Sequence, residues 1–409
     1  MRDTELYRQI LGLEQPWFVS RVDLKLEEQR VEVLVEHEPG IAWACPHCNR
    51  ELSCRDHAEE RRWRHLDTCQ LQTFLRARVP RVDCPEHGVV QVRVPWAEAR
   101  SRFTLMMERF VIDVLQQCAT VQGARRILRM SWDEVWGVMS RAVARGQRRK
   151  QARVIPHVGV DEKAFRKGHT YMTVVADLDH STVEYVAEDR KAESLAGFWR
   201  SLAPNQLEGV EAVAMDMWPP YVQATMAAVP GAAEKIVFDR FHIMRHVGQA
   251  VDTVRKQEHR TLRKVGDETL TGTKYLWLYS KENLTADRRR TLRELMSLDL
   301  KVGRAWAIKE HLRRLWSYRS IGWAKRFFRS WFGWATRSRL EPVRRVAHLL
   351  RSHLPNILTY CLHQLTNAVT EGLNSKIMSI KRRACGYRNA DHFKTAIYFF
   401  CGGLDLYPR

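Results

Sequence analysis

Between residues 154 and 245 the apolar residues fall into short β-rich runs that alternate with helical stretches. A chain with that alternation builds a sheet with helices laid on it. VIPHVGVDEKAF, YMTVVADLD and STVEYVAED read as three consecutive strands. ESLAGFWRSL reads as a helix, VEAVAMDM as a strand, PPYVQATMAAV as a second helix, and KIVFDRFHI as a strand running into a helix. Three strands in meander followed by β-α-β describe a mixed sheet. Asp161 is expected at the exit of its first strand and Asp216 at the exit of its fourth.

Charge narrows the partner. Lys and Arg number 67 against 47 Asp and Glu, a formal +20, which draws polyanions, nucleic acid first among them. No apolar stretch is long enough to span a bilayer, and MRDTELYRQI has no signal-peptide pattern, so a cytoplasmic, nucleoid-associated protein without a membrane partner is expected. Nine cysteines in such a chain argue for metal binding over a disulfide framework.

The cysteines cluster before the sheet. Residues 1–41 form an N-terminal region in which RVDLKLEEQRVEVLVEH reads as a hairpin, and 42–95 a zinc-binding, ribbon-like module. Cys45-Pro-His-Cys48 and Cys84-Pro-Glu-His87 are two knuckles, each able to aim two side chains at one ion. Together they complete the tetrahedron zinc prefers, with thiolates at roughly 2.3 Å. Four protein ligands leave no open position, so the site is structural. His47, Cys54 and Cys69 are close enough in sequence to replace His87 as fourth ligand.

Residues 100–150 are helical by period, and SWDEV carries a capping-box pattern at Ser131 and Glu134. Helix, turn, helix with a basic exit outlines a helix-turn-helix. Ser131 and Trp132 would open its second helix, where base edges are read, with Arg125, Arg126 and Arg129 placed for phosphates. A three-helix packing module with a solvated basic face is the ordinary alternative.

The strand order at 154–245 is the topology of the RNase H-like fold, in which the first and fourth strands are adjacent. Asp161 and Asp216 therefore meet, and two such anions are costly to juxtapose unless a cation lies between them. Mg²⁺ (or Mn²⁺) takes oxygen ligands and suits that position. A third acid, Glu371, lies on a helical pattern in 361–409, with Asn374, Ser375 and Met378 on its face. Lys376, Lys381, Arg382 and Arg383 follow, where a DNA backbone could run. Singly, each acid has a plain reading as a turn, a cap or a solvated helix residue. In this order they outline a site for metal-assisted displacement at phosphorus. The intervening 246–360 is helical and rich in Arg and Trp, most of the tryptophans serving as core and one or two free to stack on a displaced base.

GVDEKAFRKGHTY, AMDMWPPY, VFDRFHI and TEGLNSKIMSIKRRACGYRN resemble, block by block, the bacterial insertion-sequence transposases of the ISL3 family, DDE enzymes related to the Mutator group. The resemblance covers nearly the whole chain, the CPHC knuckle included. It implies an RNase H-like catalytic domain with an all-α insertion, the triad Asp161, Asp216 and Glu371, and Mg²⁺-dependent cleavage and joining at element ends. It also implies supporting roles for Asp239 and His242, the D-x-x-H that looks like the C-x-x-H of Mutator relatives. Asp239 is the rival to Asp216 as second acid, with Asp177 and Asp179 behind it. The turn at 166–169 is expected near DNA. The expected partner is double-stranded DNA, both terminal inverted repeats and target, handled by at least a dimer. The alternative is a transposase-derived regulator that binds DNA without catalysis.

Overall fold

The computed structural model describes residues 2–118, 120–166, 170–365 and 368–409. The chain divides into two compact units. One is Met1–Lys150 with Tyr398–Phe400 and Leu404–Arg409; the other is Gln151–Ile397 with Cys401–Gly403. Residues 167–169 of the basic turn lie outside the described set.

In the first unit a short helix, Asp3–Ile10, precedes the antiparallel hairpin of β1 (Trp17–Lys25) and β2 (Arg30–His37). The strands β3 (Ala42–Ala44), β4 (Glu51–His57), β5 (Arg61–Arg64), β6 (Gln72–Ala77), β7 (Pro80–Cys84) and β8 (Gly88–Gln91) follow. They make two four-stranded sheets, β1-β2-β6-β5 and β3-β4-β7-β8. The hairpin is thus completed by strands from beyond the first knuckle, with β6 parallel to β2. Alternation dictates this: Val31, Val33 and Val35 of β2 face inward with Leu75 and Ala77 of β6. Trp17, Trp43, Trp63 and Trp96 fill the space between, with ring centroids 4.9 to 5.5 Å apart along the chain of contacts.

Three helices follow, Leu105–Cys118, Val121–Leu128 and Trp132–Arg149. Thr120 caps the second through Gly123 N, and Arg129, at φ 51°, makes the left-handed turn that ends it. The expected capping box is formed: Ser131 Oγ accepts from Glu134 N at 3.2 Å, and Glu134 Oε2 accepts from Ser131 N at 2.8 Å. Beneath the helices Glu108, 1% exposed, lies 2.8 Å from the equally buried Arg145, which also holds Glu98 and the carbonyl of Leu406. The C-terminal tail is therefore part of this helical bundle, not an appendage. Arg109 donates to Pro408 O as well.

The second unit is built on a five-stranded sheet of β9 (His157–Arg166), β10 (Thr170–Asp177), β11 (Thr182–Glu188), β12 (Ala212–Met215) and β13 (Ile236–Phe238). Its order is β11-β10-β9-β12-β13. β10 is antiparallel to both neighbours, whereas β9, β12 and β13 are mutually parallel. The helices Ala192–Arg200 and Pro219–Ala228 supply the crossovers that parallel pairing requires. All four residues of β12 are buried, as befits a strand covered on both faces.

Gly159, in the central strand, admits the helix Ala368–Arg383 to close approach. A Cβ there would stand 2.6 Å from Leu178 Cδ2 and 2.7 Å from Thr370 Oγ1. Gly159→Val is expected to destabilise the unit by about 1–3 kcal/mol by overpacking. Denaturant titration reads this as a lower midpoint at unchanged slope, and an unchanged midpoint would show that the helix can retreat freely.

From Arg240 to His363 every named element is helical, beginning with the 24-residue helix Arg240–Arg263 that leaves β13 directly. Trp277, Trp306, Trp316 and Trp331 are buried here, while Trp323 and Trp334 are exposed. The helical pattern read from 362 onward is broken at Gln364, φ 50°, and the helix proper is Ala368–Arg383. Among the described residues no helix is long and apolar enough to cross a membrane.

Candidate active site and zinc centre

The two knuckles converge. Cys45, Cys48, Cys84 and His87 bring their ligand atoms within 4.8 Å of one another. Cys48 Sγ lies 3.7 Å from Cys84 Sγ, and His87 Nδ1 lies 3.5 Å from Cys84 Sγ and 3.9 Å from Cys45 Sγ. A tetrahedron with zinc–sulfur bonds of 2.3 Å has edges of about 3.8 Å, so the four atoms fit zinc. The alternatives fall away. Cys54 turns its thiol to Asp56 O, Cys69 is exposed on a left-handed turn, and His47 stacks on His87 at 5.0 Å instead of competing with it.

The helix-turn-helix side chains are used unevenly. Ser131 spends its hydroxyl and amide on the capping box. Trp132 stacks on Trp136 at 5.4 Å and stays 37% exposed. Arg129 is turned to Asp67 and to Gln70 O at 2.6 Å, whereas Arg126 is exposed and Arg125 is held by Gln122.

In the second unit Asp161 is the fifth residue of a ten-residue strand and not its exit, a correction to the expected position. The correction has a physical cause. β12 pairs only with His157, Val158 and Gly159, and the other side of β9 continues along β10 to Arg166. Asp161 therefore stands where the parallel half of the sheet has ended and the antiparallel half has not. Extending the two parallel registers, Ala212 opposite His157 and Val213 opposite Ile236, sets Asp161, Asp216 and Asp239 in one row. The bond from Asp239 N to Met215 O, 2.8 Å, continues that register. Residues in one row of adjacent strands share a face and lie about 4.8 Å apart, so Asp216 is the neighbour of Asp161 and Asp239 is one strand farther away.

The surrounding contacts reach Asp161, Asp216 and Asp239, whereas Glu371 is exposed and shares a cavity lining with Asp239 but not with Asp161 or Asp216. Asn374, one turn after Glu371 on the helix Ala368–Arg383, donates to Asp161 Oδ2, and Lys163 Nζ lies 3.5 Å from the same oxygen. His242 stands between the other two, Nδ1 3.9 Å from Asp216 and Nε2 3.7 Å from Asp239. Asp239 caps the helix Arg240–Arg263 through Phe241 N, and it lines one cavity together with Glu371. Lys381 is spent on Ala164 O at 2.9 Å, while Lys376, Arg382 and Arg383 are exposed. The weaker rivals are structural. Asp177 is fully buried and saturated by Arg153, His180 and two backbone amides, and Asp179 holds His157.

One residue close to the acids, Arg190, carries no local sequence signal. Glu162 meets Arg190 at 3.4 Å, and that guanidinium is sandwiched between Tyr171 and Trp218 at 4.4 and 4.6 Å. Arg190 lies in a loop after β11, and only folding brings it there.

The electrostatics favour a cation. Burial pushes the Asp216 carboxyl above its ordinary range, His242 opposes this in part, and Glu162 and Asp161 push it further up. Asp239 Oδ2, His242 Nδ1 and Asn374 Oδ1 are buried without hydrogen-bond partners. An anion-rich cluster with orphaned polar atoms fits a hard dication with oxygen ligands. Among the described residues only the Cys/His quartet brings three or more ligand atoms within 4.8 Å of one another; the carboxylates do not.

A pH dependence follows. A carboxyl raised by folding binds its proton more tightly in the folded state, so its contribution is present at low pH and lost as pH rises through the folded value. In metal-free protein near pH 7, Asp216→Asn is expected to melt at a higher temperature than wild type. That gain should vanish below about pH 4, where the wild-type carboxyl is protonated in both states. Equal melting temperatures across that range would remove the assigned strain.

Comparison with known proteins agrees with this architecture. Residues 158–397 match a transposase domain of the ISL3 family, residues 41–87 the zinc-finger of transposase IS204/IS1001/IS1096/IS1165, and residues 92–143 the helix-turn-helix domain of transposase family ISL3. The chain belongs to the ISL3 family of insertion-sequence transposases. It is 27% identical to the transposase for insertion sequence element IS1001 of Bordetella parapertussis, over 94% of this chain and 95% of the relative. It is 25% identical to the transposase for IS1557 of Mycobacterium tuberculosis, over 95% and 93%. These matches speak to the insertion-sequence family and not to a wider Mutator kinship. Its helix-turn-helix and transposase domains make DNA the class of partner, and its zinc ribbon carries the Cys/His cluster of a structural zinc.

Proposed function

We propose that this chain is a DNA transposase that binds the ends of an insertion sequence and catalyses metal-dependent strand cleavage and strand transfer through Asp161, Asp216 and Glu371. The observation that carries the reading is the row of acids on adjacent parallel strands, with Asp161 bonded to Asn374 one turn beyond Glu371. An RNase H-like identity for the sheet is supported by the order β11-β10-β9-β12-β13 with β10 alone antiparallel to its neighbours.

Asp161, Asp216 and Glu371 would hold Mg²⁺ or Mn²⁺, and the chemistry such an ion would supply is Lewis-acid activation of an attacking hydroxyl and charge stabilisation at the leaving oxygen. Asn374 orients the Asp161 carboxylate. Asp239 is a supporting residue, because its strand is not adjacent to β9. His242 lies between Asp216 and Asp239, at 3.9 and 3.7 Å, and would donate to a phosphate oxygen. Lys376, Arg382 and Arg383 hold the backbone beyond the cut, and Arg125, Arg126 and Trp132 engage DNA at the helix-turn-helix. Two element ends call for at least two copies of the chain.

The test is strand cleavage on DNA carrying the flanks of this gene, with Mg²⁺ or Mn²⁺. Cuts at defined ends are expected, lost by at least about 10³-fold in Asp216→Asn and reduced about tenfold in Asp239→Asn. The reverse ranking would make Asp239 the second acid. Specific binding of wild type with no cutting in either metal would favour the regulator.

A further inference from the structure

The helix Ile321–Arg337 lies far in sequence from every site residue above, and its composition is lopsided. From Arg313 to Leu340 the chain carries Arg313, Arg314, Arg319, Lys325, Arg326, Arg329, Arg337 and Arg339 and no acidic residue. The helix divides its faces cleanly. Ala324, Phe328, Trp331 and Ala335, spaced i, i+4, i+7 and i+11, are buried, and Trp331 Nε1 donates to Ile308 O. Trp323, Arg326, Ser330, Trp334 and Arg337, spaced i, i+3, i+7, i+11 and i+14, form the exposed stripe, flanked by Arg329.

Two features set this stripe apart from an ordinary solvated face. Such faces mix charges and carry i,i+4 pairs. Here, among the described residues, Lys325, Arg326, Arg329 and Arg337 make no ion pair, although the neighbouring Arg313, Arg344 and Arg345 all do. Two tryptophans of the same stripe are left in water, Trp323 60% exposed and Trp334 38% exposed. They stand eleven residues apart, about 16 Å along the axis. The Arg326 guanidinium lies over the Trp323 ring at 5.5 Å, a pairing that presents cation and ring together.

We propose that this exposed face is a second DNA-binding surface, one that grips the sugar-phosphate backbone independently of the helix-turn-helix. Unpaired arginines at three-turn spacing match a run of phosphates, and the tryptophans supply flat contacts to sugars or unpaired bases. A second copy of the chain is a poorer occupant, because a two-fold contact would set this all-cationic stripe against itself. The inference takes the identity of the polyanion from the transposase reading, but none of the residues of this face is a carboxylate of the candidate site or a zinc ligand.

The experiment measures binding of the full chain to an arbitrary-sequence duplex as a function of salt. Each phosphate contact contributes about 0.9 to the log–log slope. The triple variant Arg326→Gln, Arg329→Gln, Arg337→Gln is therefore expected to lower the slope by about 2–3 and the affinity at least tenfold near physiological salt. The matching triple change to Lys should keep the slope. An unchanged slope in the Gln variant overturns the proposal while leaving the transposase reading to its own cleavage assay. Wild type that binds no DNA at all overturns both. A fall in sedimentation mass with an unchanged slope assigns the face to contacts between copies and also overturns it. Should the triple variant fail to fold, the single variants Arg326→Gln and Arg337→Gln decide: a slope lowered by about 1 in each supports the surface, and an unchanged slope in both rejects it.

Discussion

Asp161→Asn is expected to abolish strand cleavage, by about 10³-fold or more, while DNA binding and the melting transition stay near wild type. A loss of that size corresponds to roughly 4 kcal/mol of transition-state stabilisation. Asparagine keeps the shape of the side chain and can still bond Asn374, so the helix Ala368–Arg383 remains docked. What disappears is the negative charge at the one position that faces Asp216 across the strand pair. The matching Asp161→Cys should be silent with Mg²⁺ and partly active with Mn²⁺, because a thiolate accepts the softer ion. Asp161→Asn that still cuts would exclude this carboxylate from the chemistry. Asp161→Asn that no longer folds would move its role to structure, and the Asn374→Ala variant separates the cases. Loss of Asn374 should weaken cutting about tenfold to a hundredfold with a shift in metal dependence, since outer partners orient ligands.

Removing the zinc is the second large effect. Cys48→Ser, or a strong chelator, is expected to unfold the segment between the knuckles and to eliminate binding to element ends. Structural zinc contributes on the order of 10 kcal/mol in small modules, because ligand capture and folding are one event. Part of that is expected to be offset by the apolar core around Trp17, Trp43, Trp63 and Trp96, whose members include no zinc ligand. Calorimetry should therefore show a separate transition at lower temperature instead of complete unfolding. Cys69→Ser, exposed and outside the quartet, is the control and should leave zinc content at one per chain. A Cys48→Ser protein that melts and binds like wild type would show the quartet to be dispensable.

How much of this could be read from the residues depends on the range of the physics involved. The knuckle spacing, the Ser131–Glu134 capping box and the hairpin at Trp17–His37 act within a few residues, so their geometry is written locally. The alternation of strand and helix from 154 to 245 is equally local and led to the five strands observed. The choice between His87 and the nearby Cys54 or Cys69 was not local. It needed the antiparallel pairing of β4 with β7, which turns Cys54 away from the knuckles.

The acids show the same division. Sequence alone determined that Asp216 and Asp239 follow buried strands and that Glu371 lies on a helical pattern, because burial and turn chemistry follow from residue type and period; that Asp161 stands inside its strand and that the helix begins only at Ala368 came from the structure. Only the tertiary structure decided their order. Register between β9, β12 and β13 is a property of strands separated by whole helices, and a slip of one residue would send Asp216 to the opposite face. The same long-range packing chose four tryptophans of the helical segment for the core and left Trp323 and Trp334 in water, a choice that a pattern of aromatic residues on one helix could not make by itself.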